Sequence, residues 1–111
     1  MGIQHWSLNI ILVNLSRRWR EHDELQRVVH MVEEKGDSNV VVDFSRVDVM
    51  GGAMFSWLLQ LRRLLQARGG RLVLCGVAPA TRDIFTIARL DEVFDLVENR
   101  FAAWTHWHMM G

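Results

Sequence analysis

Asn39 to Arg71 reads NVVVDFSRVDVMGGAMFSWLLQLRRLLQARGGR, and the fold class follows from this stretch. Val40 to Phe44 is β-branched and apolar, and too short to make a helix, so it predicts a strand. Being apolar on both faces, broken only by Asp43, it suits an inner strand of a parallel sheet. After a corner carrying Gly51 and Gly52, Met54, Trp57, Leu58, Leu61, Leu64 and Leu65 recur at three- and four-residue steps. That spacing predicts an amphipathic helix with Gln60, Arg62, Arg63, Gln66 and Arg68 on its outer side. Gly69 and Gly70 end it, since glycine accepts the left-handed C-terminal geometry. Phe55 and Leu59 lie four apart on a face of their own. They are either tucked under neighbouring chain or exposed as an apolar pair beside the glycine corner.

Outward from this unit the chain alternates. Ile10 to Leu15 predicts a strand, with Ile3 to Ser7 as a short antiparallel strand turned back against it. Ser16 to Asp23 is a polar loop holding Trp19. A helix follows over about Asp23 to Lys35, with Leu25, Val28, Val29 and Val32 inward and Asp23 as a cap. Leu72 to Val77 predicts a buried strand, and Pro79 suits the first turn of the next helix, where its missing N–H costs nothing. That helix runs to about Ala88 and is expected to bury Ile84, Phe85, Ile87 and Ala88. Val93 to Val97 is a last strand, and Glu98 to about His106 a last helix with Phe101 and Trp104 inward. The alternation implies parallel pairing through right-handed crossovers. The expectation is a single α/β domain spanning residues 1–111, with a mostly parallel four-stranded sheet and a short antiparallel strand at its N-terminal end.

Composition narrows the function. Half of the 111 residues are hydrophobic and 23% are charged, as in a globular domain able to build a core. Thirteen basic and thirteen acidic side chains cancel, which gives no electrostatic footprint for nucleic acid or an anionic membrane. The start of the chain lacks a basic region before an apolar core, and no apolar run approaches the ~20 residues of a membrane helix. With one cysteine, the reading is a cytoplasmic protein without membrane insertion.

The residues that carry chemistry elsewhere are poorly placed here. His5, His22, His30, His106 and His108 fit no common zinc spacing, so no metal is expected. Cys75 alternates with apolar residues in a strand, which predicts a buried, inert thiol. No Ser–His–Asp order and no close carboxylate pair stands out, so no enzyme and no cofactor is expected. Gly51-Gly52 before a helix is either a phosphate cradle or a tight turn that needs small residues. Trp19, in a charged loop, is a docking candidate or a lid on the core.

The succession VVVDFSRVDVM, a small-residue corner, an amphipathic helix and ARGGRLVLCGVAPATRDIFTIARLDEVFDL resembles the STAS domain, in particular the anti-sigma factor antagonists. The likeness covers roughly Ile10 to Ala103. It rests on Asp43-Phe44-Ser45, Gly69-Gly70, Cys75 to Pro79 and Leu90 to Phe94. It implies a sheet wound with its helices as a right-handed superhelix, and a non-enzymatic module that binds an anti-sigma factor, often a serine kinase. The surface used in such domains is the corner before the second helix, where the usual pattern is Asp-Ser, then Ser or Thr, Gly and Leu. Aligned from Asp43, these positions fall on Gly51, Gly52, Ala53, Met54 and Phe55, so the phosphorylated serine is replaced by Gly52. No hydroxyl lies between Ser45 and Ser56. A docking face of Trp19, Val49, Met50, Gly51, Gly52, Ala53 and Phe55 is expected. The alternatives are a nucleotide- or anion-sensing domain, using Arg46, Arg20 or Arg82 beside the corner, and a non-catalytic subunit of a transporter ATPase.

Overall fold

The computed structural model describes residues 2–7, 10–15, 22–35, 39–47 and 52–109. Five strands form one sheet in the order of the sequence: β1 (Gly2–Ser7), β2 (Ile10–Asn14), β3 (Asn39–Asp43), β4 (Arg71–Cys75) and β5 (Asp95–Val97). β1 runs antiparallel to β2, with its register irregular between His5 and Ser7, and the other neighbours are parallel. The expected four parallel strands and N-terminal hairpin strand are thus both present.

Helices α1 (His22–Lys35), α2 (Gly52–Ala67) and α3 (Pro79–Ile87) each connect one parallel strand to the next. Crossovers of one hand that always step to the adjacent strand place their helices on one face. The core agrees, since Val28 and Val32 of α1, Met54, Leu58, Leu61 and Leu65 of α2, and Phe85 of α3 share one buried cluster with Ile11, Val13, Val40, Val42, Leu72 and Leu74. The alternate residues Ile10, Leu12, Val41, Val73 and Cys75 face the other way, as the two-residue period of a strand requires. The last helix, α4 (Arg100–Met109), lies on that second face and buries Ala103 there. No helix among the described residues is long and apolar enough to cross a membrane.

Local signals act where the sequence places them. Pro79 occupies the first turn of α3, and Gly69 has φ +75° after α2, with Gly70 N–H returning to Leu65 O at 2.8 Å. The stripe of α2 buries Met54, Leu58, Leu61 and Leu65 fully, with Trp57 and Leu64 packed half-buried at its side. The last strand, expected from Val93, begins only at Asp95, because the N–H groups of Val93 and Phe94 turn back to Leu90 O of the 3-10 turn Leu90–Glu92 that precedes them. The side chains of Asp23 and Leu25 lie outside the described residues.

Two expected faces are corrected. In α3 only Phe85 of the four apolar residues is buried. Ile84 is 49% and Ile87 84% exposed, and Ala88 is exposed as well. At 100° per residue Ile87 stands far around the helix from Phe85, and Thr81, one turn before Phe85, completes the inner face instead. In α4, Phe101 is 78% and Trp104 38% exposed, whereas Ala103 is inward. A single helix laid over strands already rich in Val and Leu is seated there by its small residue, and its large ones are left at the rim.

These faces separate two substitutions that look alike in sequence. Leu61→Ala, at a fully buried site, should cost about 2–5 kcal/mol. Ile87→Ala should stay within about 0.5 kcal/mol of wild type. Urea unfolding of both variants checks the assignment, and a large loss at Ile87 would contradict it.

Candidate docking corner

The candidate site lies where β3 ends and the chain turns toward α2. Asp43 closes β3 almost fully buried, at 4% exposure. Its Oδ1 accepts the Ser45 N–H at 2.9 Å, and its Oδ2 accepts Arg100 Nε from the first residue of α4. Burial pushes the Asp43 carboxyl upward, but hydrogen bonds from Arg100 and Ser45 and the guanidinium charge outweigh it and hold it below its ordinary value.

Gly76, just after β4, has φ +69° and lies against this carboxylate. A Cβ there would stand 2.8 Å from Asp43 Oδ1 and 2.9 Å from Ser45 N, so both the backbone conformation and the space require glycine. Phe44 N–H donates to Cys75 O at 2.8 Å, and Gly76 N–H to Glu98 O at 3.1 Å. The ends of β3, β4 and β5 and the start of α4 are therefore fastened around one carboxylate. Cys75 sits beside it, fully buried, and its thiol is pushed up to about 12 by burial and the Asp43 charge, against the opposing effect of Arg100. That is the inert thiol expected.

The corner itself is held on both sides. Val47 N–H donates to Phe44 O at 2.9 Å and the Val47 side chain is buried, while Met54 is buried one turn into the corner's helical side. Of the expected docking residues, Gly52 and Ala53 are exposed at the start of α2. A Cβ on Gly52 would have nothing within 4 Å. No acidic residue lies in the first turn of α2, so the positive end of its dipole is uncompensated by the helix's own side chains.

Phe55 and Leu59 part company. Phe55 is half-buried with its ring 5.1 Å from that of Phe85, which in turn meets Phe94 edge-on at 5.9 Å. Leu59 is 37% exposed. Phe55 thus packs against the core and is only partly exposed beside the corner. Trp19, Val49, Met50 and Gly51 lie outside the described residues, as does Arg20. Arg46 is exposed in the turn after β3. Arg82 lines a polar cavity of about 630 Å³ between α3 and β5 with Asp83, Asp91 and Asp95.

Asp43 as a fastening, Arg100 and Gly76 were not among the expected site residues. A charged residue ending an otherwise apolar strand was the available signal for the first. Neither a basic residue 57 positions away nor a glycine after β4 announces its partner in sequence.

The STAS domain family matches this chain over residues 20–103. BtrV of Bordetella bronchiseptica, described as a candidate anti-sigma factor antagonist, is 30% identical over 81 residues, covering 73% of this chain and 70% of that protein. Among solved structures, a variant of RsbS from Moorella thermoacetica superposes with a TM-score of 0.84 at 18% identity, over 98% of this chain and 95% of that one. The anti-sigma factor antagonist SpoIIAA in its unphosphorylated form gives 0.71 at 13% identity, over 97% and 96%. At these identities the solved structures are similar in fold.

The Asp43 fastening has a signed pH dependence. Its folded pKa lies below its unfolded value of about 3.9, so the unfolded chain binds the extra proton. The stabilisation is present above that value and is lost as pH falls through the folded pKa. The stability gap between wild type and Asp43→Asn should therefore narrow on acidification below about pH 4. Arg100→Leu, which removes the charged donor, should cost about 1–3 kcal/mol at neutral pH. Urea titrations at several pH values read both effects, and a gap that widens in acid would overturn the assignment.

Proposed function

The chain belongs to the STAS domain family, with the fold of its anti-sigma factor antagonists, and from that premise we propose that it is a non-enzymatic binding module of cytoplasmic signalling. Its partner is a serine-kinase-like anti-sigma factor or an assembly containing one. It docks through the corner before α2, using Trp19, Val49, Met50, Gly51, Gly52, Ala53 and the exposed part of Phe55. The observation that carries this reading is the state of Gly52 and Ala53, which stand exposed at the head of α2 with open space around them.

At that position the family resemblance expects a serine whose phosphorylation breaks the complex. Phosphorylation adds nearly two negative charges and three acceptor oxygens at a helix N-terminus. Gly52 carries no hydroxyl, so the module is constitutive at this residue, or switched by other means. The anion-sensing alternative draws no support from Arg82, which lies among three aspartates instead of beside the glycines.

The open space at Gly52 allows the switch to be imitated and restored. Ala53→Asp sets a negative charge in the first turn of α2, where it favours the helix by about 0.3–1 kcal/mol and cannot be mistaken for unfolding. It should weaken binding of the purified kinase-like anti-sigma factor at least tenfold, with the melting temperature unchanged or raised. Gly52→Ser should fold normally and accept phosphate from that kinase. Binding by Ala53→Asp as tight as wild type would place the docking surface elsewhere.

A further inference from the structure

α4 lies on the second face of the sheet, and Arg100, its first residue, reaches back to the carboxyl end of β3. There Arg100 Nε donates to Asp43 Oδ2, while Asp43 Oδ1 accepts the Ser45 N–H at 2.9 Å. One carboxylate therefore has one oxygen fixed by a helix and the other by the backbone that leaves β3 for α2. The Arg100 side chain is half-exposed and that of Asp43 buried, so the bridge runs from the surface into the interior. The chain beyond Ser45 has little slack. Val47 N–H closes on Phe44 O at 2.9 Å and the Val47 side chain is buried. Two residues later the sequence enters the proposed docking stretch from Val49 to Ala53.

Among the described residues, Arg100 is the positive charge that meets this carboxylate. The neighbours of Asp43 across the sheet are Asn14 of β2 and Cys75 of β4. Asn14 Oδ1 is a buried acceptor without a hydrogen-bond partner, and the Cys75 thiol keeps its proton. Neither supplies a countercharge. Gly76 closes a further side, with no room for a Cβ. Without Arg100, burial acts on Asp43 with Ser45 alone left to oppose it among the described residues. A carboxylate that turns toward water or takes a proton then weakens the bond that orients Ser45.

We propose that Arg100 is a positioning residue for docking. It holds the Asp43 carboxylate in the setting that orients Ser45, and so fixes the direction in which the chain leaves β3 for the corner. The inference rests on the reading that the corner before α2 is the docking surface. It adds that part of the affinity of that surface is set from α4, by a residue that does not itself touch the partner. A partner meeting a corner already ordered loses less conformational freedom on association. Loss of Arg100 therefore shows in the binding of folded protein, over and above any loss of stability. A buried apolar residue far from the corner behaves otherwise. Leu72, at the start of β4 and the opposite end of the sheet, contributes to stability alone.

Calorimetric titration of the full chain with the purified kinase-like anti-sigma factor, well below the melting temperature of every variant, tests it. Arg100→Leu should bind about fivefold or more weakly than wild type. Leu72→Ala, a destabilising cavity variant, should bind like wild type. Asp43→Asn should weaken binding as Arg100→Leu does. The double variant should lose no more than the worse single one, because both act through one carboxylate. Arg100→Gln keeps a neutral donor where the guanidinium Nε stands, and should show an intermediate loss even if the leucine variant does not fold. Wild-type affinity in the Arg100 variants would overturn the proposal. So would losses that multiply in the double variant, which mark direct contact with the partner, or an equal loss in Leu72→Ala. A wild-type chain that does not bind at all would instead defeat the reading of the corner, and the positioning role with it.

Discussion

A carboxylate held under the end of the central strand is the constraint on which the rest of this fold depends. Burying Asp43 is unfavourable unless its charge is met, and it is met from two directions by groups far apart in sequence. The Ser45 N–H begins the turn toward α2, and Arg100 begins the helix on the opposite face. Both bonds are charge-assisted, hence stronger than neutral ones. Gly76 completes the arrangement by being absent as a side chain, since any Cβ would force the carboxylate and the turn apart. The exit of β3, the exit of β4 and the entry of α4 are therefore set together, and one cannot shift without disturbing the others.

The location of this fastening matters for function. Parallel sheets place the connections that carry recognition at the carboxyl ends of their strands. Here the corner between Val47 and Met54 has buried side chains at both of its ends, and its first turn is fixed by the Asp43 carboxylate. Fixed flanks of this kind would favour the proposed docking, because less conformational freedom is lost on binding. The same bonds connect α4 to the end of β3, so the second face of the sheet is mechanically joined to the proposed docking corner through Arg100.

Much of the fold was legible in sequence because periodicity reports directly on burial. The α2 stripe and the β3 run were placed by spacing alone, and Pro79 and Gly69 acted where turn chemistry puts them. Spacing failed where apolar residues exceed the positions that can be buried. Ile84, Ile87, Phe101 and Trp104 all look like core, and the space inside their helices is taken by Phe85 and Ala103. Hydrophobicity states only that a residue can be buried, whereas the register of a short helix decides which one is. The candidate site was less legible for a different reason. Gly52 and Ala53 are proposed from the resemblance of local sequence, whereas Asp43, Gly76 and Arg100 meet only in three dimensions, and no local pattern encodes a pairing across 57 residues.

The apolar surplus left outside the core also follows from the topology. Strands that pair in sequence order send their three connecting helices to one face, and among the described residues only α4 remains to cover the other. One ten-residue helix is narrower than a five-stranded sheet, so covering that face takes large side chains at its margins. Trp6 and Trp104 meet there edge-on, a favoured arrangement of aromatic quadrupoles. A sheet covered fully on one side and narrowly on the other has its least protected boundary along β1, where the single antiparallel strand ends the ladder.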